Sequence, residues 1–499
     1  MLLAWLLMAT LTSVPHLRAH LAPPPGLAFT GFFFWRPDMY NYLTYVQQAE
    51  DGAVLFENKL EIHDSRRLLL NPEWWTVGRL SALLGRRPNL AYQLFGLAGA
   101  LALLAAADRW LRLSGLPDTH RLPALVLVSL GGGLGGLRYA MLGPPAWRSL
   151  DLTTGLFPFL EMLANPHFMA GTTLLAWGLL AFFLARTWRG LLVGIALGTL
   201  LGLVRPYDVV LLVGIRALAV VFTEPPSRWL RLLLPLAGLA PVAVYLFWVF
   251  YRSGAFATFF AGYPTPPFVD FVVALGPAAL LGAATWRARP VEAEARRAAA
   301  HLAAWAVAGI VLLTVRPVPF YIQFLVGIGL PFLALGALGL ARLRAWVTLA
   351  AAAAMASTAF IALRIVLSDQ PLWFVRAERM GAALALRSSC RRGDLVLAPP
   401  DVGLFAIGLS ACKAYVSDRY DPEPRDREVQ QFYGEAEPAW RSALLDRECV
   451  THVVLPDAGG VPGGWLGEAT PFRQVARVGR APFLLGVYRR EGRAGCPAR

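Results

Sequence analysis

An acidic side chain stands among aromatic residues in the stretch FFFWRPDMYNYLTYVQQAEDG, which covers residues 32 to 52. Asp38 precedes a run with apolar residues at helical spacing, so one interpretation makes it the N-cap of a helix. Its depth near the end of a long apolar segment favours a functional carboxylate, because ionisable groups at membrane depth are costly unless they are paired or used. Tyr40 and Tyr42 follow it and are predicted to contact substrate.

A second carboxylate, Glu161, lies in the apolar sequence GLFPFLEMLANPHF. A carboxylate in such surroundings either pairs with a nearby arginine or has a raised pKa that suits acid–base chemistry. Asn165 and His167 follow it in the motif NPHF and are candidate substrate-binding residues. A lone histidine of this kind is more often structural than a ligand.

Two arginines, Arg205 and Arg316, stand at the ends of apolar segments, and each is followed by proline. Taken singly, each could extend its guanidinium to phospholipid headgroups. Two arginines at matching depth on different segments suit a phosphate better, because guanidinium binds phosphate oxygens in pairs. The sequence therefore predicts a donor-phosphate site at Arg205 and Arg316, and Tyr207 and Gln323 are further candidates for substrate binding.

His63 belongs to the polar run NKLEIHDSRR and is a further candidate for substrate binding. With Glu61 and Asp64 it could hold a metal ion, but polar residues so close in sequence are more typical of a solvated turn. The chain has no P-loop, no G-x-S-x-G and no D-x-D run. The glycine run GGGLGG, residues 131–136, lacks the preceding strand of a dinucleotide site, so it predicts close helix packing. No metal is expected.

The composition indicates which class of secondary structure must position these residues. The chain has 499 residues, of which 57% are hydrophobic and 16% charged, with a mean hydropathy of +0.51. These values exclude an ordinary water-soluble domain and predict a polytopic α-helical membrane protein. The net charge of +14 comes almost wholly from arginines beside apolar runs. We interpret that charge as a topology signal and predict no binding to nucleic acid.

Segments long enough to cross a bilayer recur along the chain to about residue 366. About eleven spans are predicted, near 1–21, 90–107, 121–137, 168–185, 190–204, 208–222, 230–251, 268–286, 301–315, 321–341 and 345–366. Arginine-rich loops alternate with the others and are expected to be cytoplasmic, which places the long loop 22–89 and the C-terminal part outside the cytoplasm. The first segment has no basic start, so we predict a retained helix in the cytoplasmic (inner) membrane.

Within the loop 22–89, two segments have apolar residues at helical spacing. They are predicted to be amphipathic helices whose apolar faces contact lipid, and the apolar residues are Met39, Tyr42, Leu43 and Val46 in one and Trp74, Val77 and Leu80 in the other. A soluble α/β domain is predicted for 368–499, with strands in GDLVLAPP and VTHVVLP, a helix over 426–447 and a C-terminal hairpin. Its four cysteines, Cys390, Cys412, Cys449 and Cys496, could form one or two disulfides outside the cytoplasm.

The stretches WRPDMYNYLTYVQQAEDG and LEIHDSRRLLLNPEWWTVGRLSALLG, followed by many spans and an outward α/β tail, resemble the GT-C-type membrane glycosyltransferases. That group includes protein mannosyltransferases and bacterial lipid A aminoarabinose transferases. The resemblance implies a transmembrane domain over 1–367, a sugar donor carried on a polyprenyl phosphate, and inverting transfer on the outer face with Asp38 as general base. The acceptor would be a lipid, a glycan or a protein, and no cofactor is expected. The first loop lacks a second acidic residue in a D-x-D or E-x-D pattern, so metal dependence is not predicted.

Three alternatives remain at the level of sequence. A transporter or flippase would place polar residues along a path through the bilayer, whereas the spans here are largely apolar, apart from Arg216 and Asp270. A non-catalytic anchor for the C-terminal domain would leave the long first loop unexplained. A polymerase or ligase that uses lipid-linked glycans is harder to distinguish from a transferase of single sugars.

Overall fold

The computed structural model describes residues 1–34, 36–143, 149–152, 155–253, 266–287, 292–316, 321–368, 371–415, 424–434, 436–456, 471–480 and 483–492. In chain order the helices are α1 (Leu2–Leu21), α2 (Arg36–Glu50), α3 (Pro72–Leu83), α4 (Pro88–Leu113), α5 (Asp118–Leu130), α6 (Gly135–Leu142), α7 (Pro158–Ala164), α8 (Pro166–Leu184), α9 (Trp188–Val204), α10 (Pro206–Thr223), α11 (Pro226–Leu233), α12 (Ala240–Phe247), α13 (Phe268–Arg287), α14 (Ala293–Val315), α15 (Gly329–Leu340), α16 (Ala345–Leu367), α17 (Ala377–Ser389), α18 (Pro400–Leu409), α19 (Pro424–Tyr433) and α20 (Pro438–Arg447). The strands are β1 (Leu27–Phe29), β2 (Leu55–Phe56), β3 (Leu69–Leu70), β4 (Phe374–Arg376), β5 (Leu395–Leu397), β6 (Lys413–Ala414), β7 (His452–Pro456), β8 (Phe472–Val478) and β9 (Leu485–Arg490).

Two compact units contain these elements. The first consists of Met1–Leu17, Tyr92–Trp248 and Phe260–Ser368, and the second of Arg18–Ala91, Val249–Phe259 and Asp369–Arg499. The long first loop therefore groups with the C-terminal residues, although it follows the first span in sequence. The units divide between Ser368 and Asp369, next to the predicted boundary at 367 to 368, but the predicted first domain included the loop 22–89.

The predicted polytopic helical architecture is confirmed. Among the described residues, eight helices are long and apolar enough to cross a membrane, or nine if α5 and α6 form one bent span. The two remaining predicted segments are also apolar helices, but α9 and the part of α13 over Phe268–Ala283 are shorter. The chain is thus a multi-pass membrane protein.

The glycine run 131–136 lies where α5 ends and α6 begins, at a bend of 52°. A Cβ atom on Gly133 would lie 2.5 Å from the Val273 carbonyl oxygen, so a neighbouring helix approaches the backbone directly. The predicted packing role is confirmed. The Asp151 carboxylate accepts a hydrogen bond from the Gly135 N–H at 2.6 Å, which satisfies a free donor at the start of α6.

The two charged residues that interrupt predicted spans both have partners. Arg138 donates to Asp270 at 2.7 Å, and the Arg216 guanidinium lies 3.0 Å from His301 Nε2. Paired ionisable groups are the usual way to place charge among apolar helices. These contacts account for Asp270 and Arg216 without a transport pathway.

The second unit contains a five-stranded sheet in the order β6-β5-β7-β9-β8. The predicted strands at GDLVLAPP and VTHVVLP are β5 and β7, and the predicted hairpin is the antiparallel pair β8 and β9. The prediction of one helix over 426–447 was wrong, because α19 ends at Tyr433 and α20 begins at Pro438. Proline is tolerated in the first turn of a helix but not in its interior.

The first loop and the C-terminal residues are joined by backbone pairing. β1 pairs with β4 in antiparallel register, with Ala28 opposite Val375. Cys390 and Cys412 form a disulfide with a Cα–Cα distance of 5.4 Å, and Cys449 is also disulfide-bonded. Cys496 lies outside the described residues, as does the side chain of Arg36. The β1–β4 pair is a two-stranded sheet separate from the five-stranded one, and it joins the first loop to the C-terminal residues, which the disulfide ties covalently.

Candidate functional site

Asp38 lies in the first turn of α2 and is partly exposed. Because α2 begins at Arg36, Asp38 is inside the helix and not at its N-cap. A carboxylate in the first helical turn is favoured by the helix dipole, which stabilises its charged form. The position therefore places a partly exposed carboxylate at a helix end.

Two close helix contacts hold α2 in place. A Cβ atom on Gly78 of α3 would lie 2.5 Å from the Val46 carbonyl oxygen, and one on Gly408 of α18 would lie 3.1 Å from Leu43 Cβ. Leu43 and Val46 are buried in the protein as a result. The prediction that the apolar face of α2 contacts lipid was wrong, because α3 and α18 cover that face.

The two tyrosines after Asp38 have different environments. Tyr40 is buried, its hydroxyl donates to the Thr30 carbonyl at 2.6 Å, and its ring centroid lies 4.4 Å from that of Phe405. Tyr42 is half-buried and stacks on Trp74 at 5.3 Å. Tyr40 thus supports the helix, whereas Tyr42 presents part of its surface beside α3.

His63 is exposed, with 69% of its side chain accessible, and its Nε2 lies 4.0 Å from Glu448 Oε2. Asp64 is engaged by Arg66, whose Nη2 lies 2.6 Å from Asp64 Oδ2. These contacts fit the solvated turn that the spacing of polar residues favoured. The imidazole of His63 is therefore accessible. Within the described part of the loop, His63 forms no cluster of metal ligands with its neighbours.

Among the described residues, one group of potential metal ligands has its atoms close together: Cys390, Cys412 and His452. The two cysteines are joined in a disulfide. A metal ion requires the thiolate form of cysteine, so this group in its oxidised state lacks the donors that a metal site needs.

The second predicted carboxylate, Glu161, belongs to the first unit and is fully buried on α7. Its Oε1 accepts a hydrogen bond from the Thr172 hydroxyl at 2.9 Å. Burial raises the pKa of Glu161 to about 8, because the charged form loses its hydration. Among the described residues no arginine forms an ion pair with it, so of the two sequence interpretations the structure favours the protonated carboxyl.

Arg205 is buried between α9 and α10. Its Nε donates to Asp208 Oδ2 at 2.8 Å, and its Nη2 lies 3.2 Å from Gln323 Oε1. The Arg205 side chain passes directly over Gly171 of α8, where a Cβ atom would lie 2.8 Å from Arg205 Nε. The structure thus brings Arg205 and Gln323 together, and the guanidinium charge is balanced by Asp208.

Asp208 was missed as a site residue, although RPYD places it three positions after the arginine, where side chains on a helix meet. Its electrostatic neighbours include His167, which is buried in the first turn of α8.

The buried Asn165 lies between α7 and α8, and its Oδ1 is 3.5 Å from the Tyr92 hydroxyl. Tyr207 is half-buried in the first turn of α10.

Arg316 differs from Arg205. It caps the C-terminus of α14 in a left-handed conformation with φ of 56°, and its side chain is exposed. Its guanidinium carbon lies 4.8 Å from the ring centroid of Tyr321. Of the two predicted phosphate ligands, Arg316 is the accessible cation and Arg205 is the buried one with a carboxylate partner.

No protein-family model matches the sequence, and no curated protein does either. Solved structures do match. The oligosaccharyltransferase from Archaeoglobus fulgidus aligns at TM-score 0.55 and 12% identity, covering 91% of this chain and 67% of that one. ArnT from Cupriavidus metallidurans aligns at TM-score 0.54 in the apo state, with 14% identity and 97% of both chains covered.

This chain has the GT-C fold. A structure of the same ArnT bound to undecaprenyl phosphate also aligns at TM-score 0.54, with 13% identity over 98% of this chain and 97% of that one. The resemblance drawn from the first loop and the tail is thereby confirmed at the level of fold. At sequence identities this low, the structural match shows that the chain has the GT-C architecture but does not show which reaction it catalyses.

Proposed function

We propose that this chain is a membrane glycosyltransferase that transfers a sugar from a polyprenyl-phosphate donor to an acceptor on the outer face of the cytoplasmic membrane. The observation that carries the proposal is Asp38, a partly exposed carboxylate in the first turn of a helix held on two sides, in a chain with the GT-C fold. That ArnT binds undecaprenyl phosphate supports a polyprenyl donor.

In the proposed reaction Asp38 accepts the proton of an acceptor hydroxyl. The hydroxyl oxygen forms a bond to the anomeric carbon, and the bond from that carbon to the phosphate oxygen breaks. The configuration inverts, and the electron pair leaves with the polyprenyl phosphate. Tyr42 and His63 would contact the sugar or the acceptor from the same unit.

The departing phosphate needs a fixed positive charge. We assign this role first to Arg316, because its guanidinium is exposed whereas that of Arg205 is balanced by Asp208. Arg205 would then orient Gln323 and stabilise the departing phosphate less directly than Arg316. The proposal requires no metal ion, and transfer should therefore persist in excess EDTA.

The outer location is supported by two features of the chain. Arginine-rich loops alternate along the spans in the pattern that the positive-inside rule associates with the cytoplasm. The disulfides at Cys390, Cys412 and Cys449 belong to the C-terminal residues, and such bonds persist in oxidising compartments.

The test compares wild type with Asp38→Asn in a transfer assay with purified protein and a panel of polyprenyl-phosphate sugars. Loss of a general base is expected to lower kcat by about 10²- to 10⁴-fold. Asp118→Asn is the matched control, because Asp118 is also in the first turn of a helix and its side chain is 88% exposed.

Folding of each variant is checked by its elution from a sizing column and by its thermal melt. If wild type transfers a sugar, and Asp38→Asn matches it in rate while remaining folded, Asp38 is not the base. If wild type transfers no sugar from any donor in the panel, the donor class is wrong.

A further inference from the structure

The chain contains only two lysines, Lys59 and Lys413, among 46 basic residues. Both are buried, with 2% of each residue exposed. Lysine is almost never fully buried unless its ammonium group is paired. Every other cation of the chain is an arginine, so the use of lysine at these two buried positions needs a structural reason.

Lys59 lies in the first loop shortly after β2. Its Nζ donates to Gln47 Oε1 at 2.5 Å, to the Ile407 carbonyl at 3.0 Å and to the Ser410 carbonyl at 2.6 Å. Ile407 and Ser410 lie at the C-terminus of α18, where carbonyls lack helical partners and the dipole favours a cation. One ammonium group thus connects α2, the first loop and the end of α18.

Lys413 makes the reciprocal connection from the other side. It lies in β6, just beyond α18, and its Nζ donates to the Glu61 carbonyl at 2.7 Å and to the Asp64 carbonyl at 2.8 Å. The two lysines therefore cross-link the same two segments, 59–64 and 407–413, in opposite directions. A compact ammonium with rotatable donors can reach backbone carbonyls in this way, whereas the planar guanidinium of arginine is built for paired acceptors.

The segment 407–413 is fixed on both sides. At its N-terminal end, Gly408 of α18 contacts α2 so closely that an added Cβ would lie 3.1 Å from Tyr40 and Leu43 atoms. At its C-terminal end, Cys412 is bonded to Cys390. The lysines act between these two fixed points and set where α18 lies against α2.

We propose that Lys59 and Lys413 are positioning residues, which hold α18 against α2 and so fix the helix that carries Asp38. The proposal rests on the proposed function for its catalytic consequence only. Its structural content, that the lysine pair orders α2 and α18, stands on the contacts above.

The structural content is tested by hydrogen–deuterium exchange on the full-length protein in detergent. The variants are Lys59→Met and Lys413→Met, which keep the side-chain length and remove the donors. We expect amides of α2 and α18 to exchange at least about tenfold faster in each variant, because the native contact that opposes each local opening loses two or three buried hydrogen bonds.

Two internal standards make that result specific. Arg473→Met removes a cation of the same unit whose side chain is 78% exposed, and it should leave α2 and α18 exchange within about twofold of wild type. Exchange in α8, in the other unit, reports whether the variants remain folded. Unchanged exchange in α2 in both folded lysine variants would overturn the proposal.

The catalytic consequence is tested in the transfer assay. We expect kcat to fall about 10- to 100-fold in Lys59→Met, with the donor KM changed less than about threefold, because a displaced base misses its geometry while the donor still binds. Lys59→Arg should recover part of kcat. A folded Lys59→Met with faster α2 exchange and wild-type kcat would overturn the positioning role. Absence of transfer by wild type would instead defeat the proposed function, and the exchange result would still decide the lysine pair.

Discussion

At the scale of single residues, the two predicted catalytic carboxylates lie in different environments. Asp38 is partly exposed in the first turn of a helix, where the helix dipole is favourable for an acidic side chain. Glu161 is fully buried with a hydroxyl donor, and burial raises its pKa to about 8. Two carboxyl groups in such different surroundings are suited to different roles. The sequence alone grouped them as one catalytic set.

The raised pKa of Glu161 predicts a pH-dependent stability. Between about pH 4.5 and 8 the folded chain retains a proton that the unfolded chain has lost, so the free energy of unfolding falls as pH rises, by at most about 1.4 kcal/mol per pH unit. Glu161→Gln does not titrate. Its melting temperature relative to wild type should therefore rise between pH 5 and pH 8.

The matched control is Glu294→Gln, which changes a carboxylate that is 52% exposed and should leave the pH slope of wild type intact. Identical pH slopes for Glu161→Gln and wild type would show that Glu161 is ionised in the folded chain.

At the scale of elements, helix α2 is positioned by glycines in its neighbours. Gly78 brings α3 onto the backbone at Val46, and Gly408 brings α18 onto Leu43. Helical spacing predicted α2 and α3 but gave no information on which surface would cover their apolar faces. The contact with α18 depends on residues more than three hundred positions away, which no local pattern encodes.

Gly78→Ala tests this contact. Alanine normally stabilises a helix interior by about 1 kcal/mol relative to glycine. Here the added methyl would overlap backbone atoms of α2, and overpacking of this kind costs about 1–3 kcal/mol, so we expect a lower melting temperature and reduced transfer. Gly276→Ala in α13 is the control, since its nearest neighbour would lie at an ordinary 3.6 Å. Equal melts for the two variants would contradict the tight α2–α3 contact.

At the scale of the whole molecule, sequence neighbours belong to different units and distant segments share one. The first helix contacts later spans, as when the Trp5 indole donates to the Leu97 carbonyl at 2.9 Å. The first loop joins the C-terminal residues through β1–β4 pairing and the two lysines. Each unit therefore combines segments that are far apart in the sequence.

The disulfide between Cys390 and Cys412 predicts the redox state of the C-terminal residues in cells. If these residues face an oxidising compartment, non-reducing mass spectrometry of protein alkylated during lysis should recover the two cysteines as one linked peptide pair. Replacing both by serine should lower the stability of the second unit by about 2–4 kcal/mol. Recovery of both cysteines as alkylated thiols would contradict the outward orientation.

The sequence by itself determined the class of the protein and most of its elements. Long apolar runs allow few structures in lipid other than helices, so the spans followed from composition. Alternation and turn residues identified four of the five strands of the C-terminal sheet, all but β6. The motif RPYD also contains the signal for the Arg205–Asp208 pair, which the prediction overlooked, because an i,i+3 contact is a local property of a helix.

Only the tertiary structure decided which polar groups meet. Burial of Glu161, the contact from Arg205 to Gln323, and the reciprocal bonds of Lys59 and Lys413 all join residues that are distant in sequence or depend on neighbours that are. Hydrophobicity patterns specify which face of a segment is buried, but not its partner. Partner choice follows from packing and from satisfying buried donors and acceptors, which are properties of the folded chain.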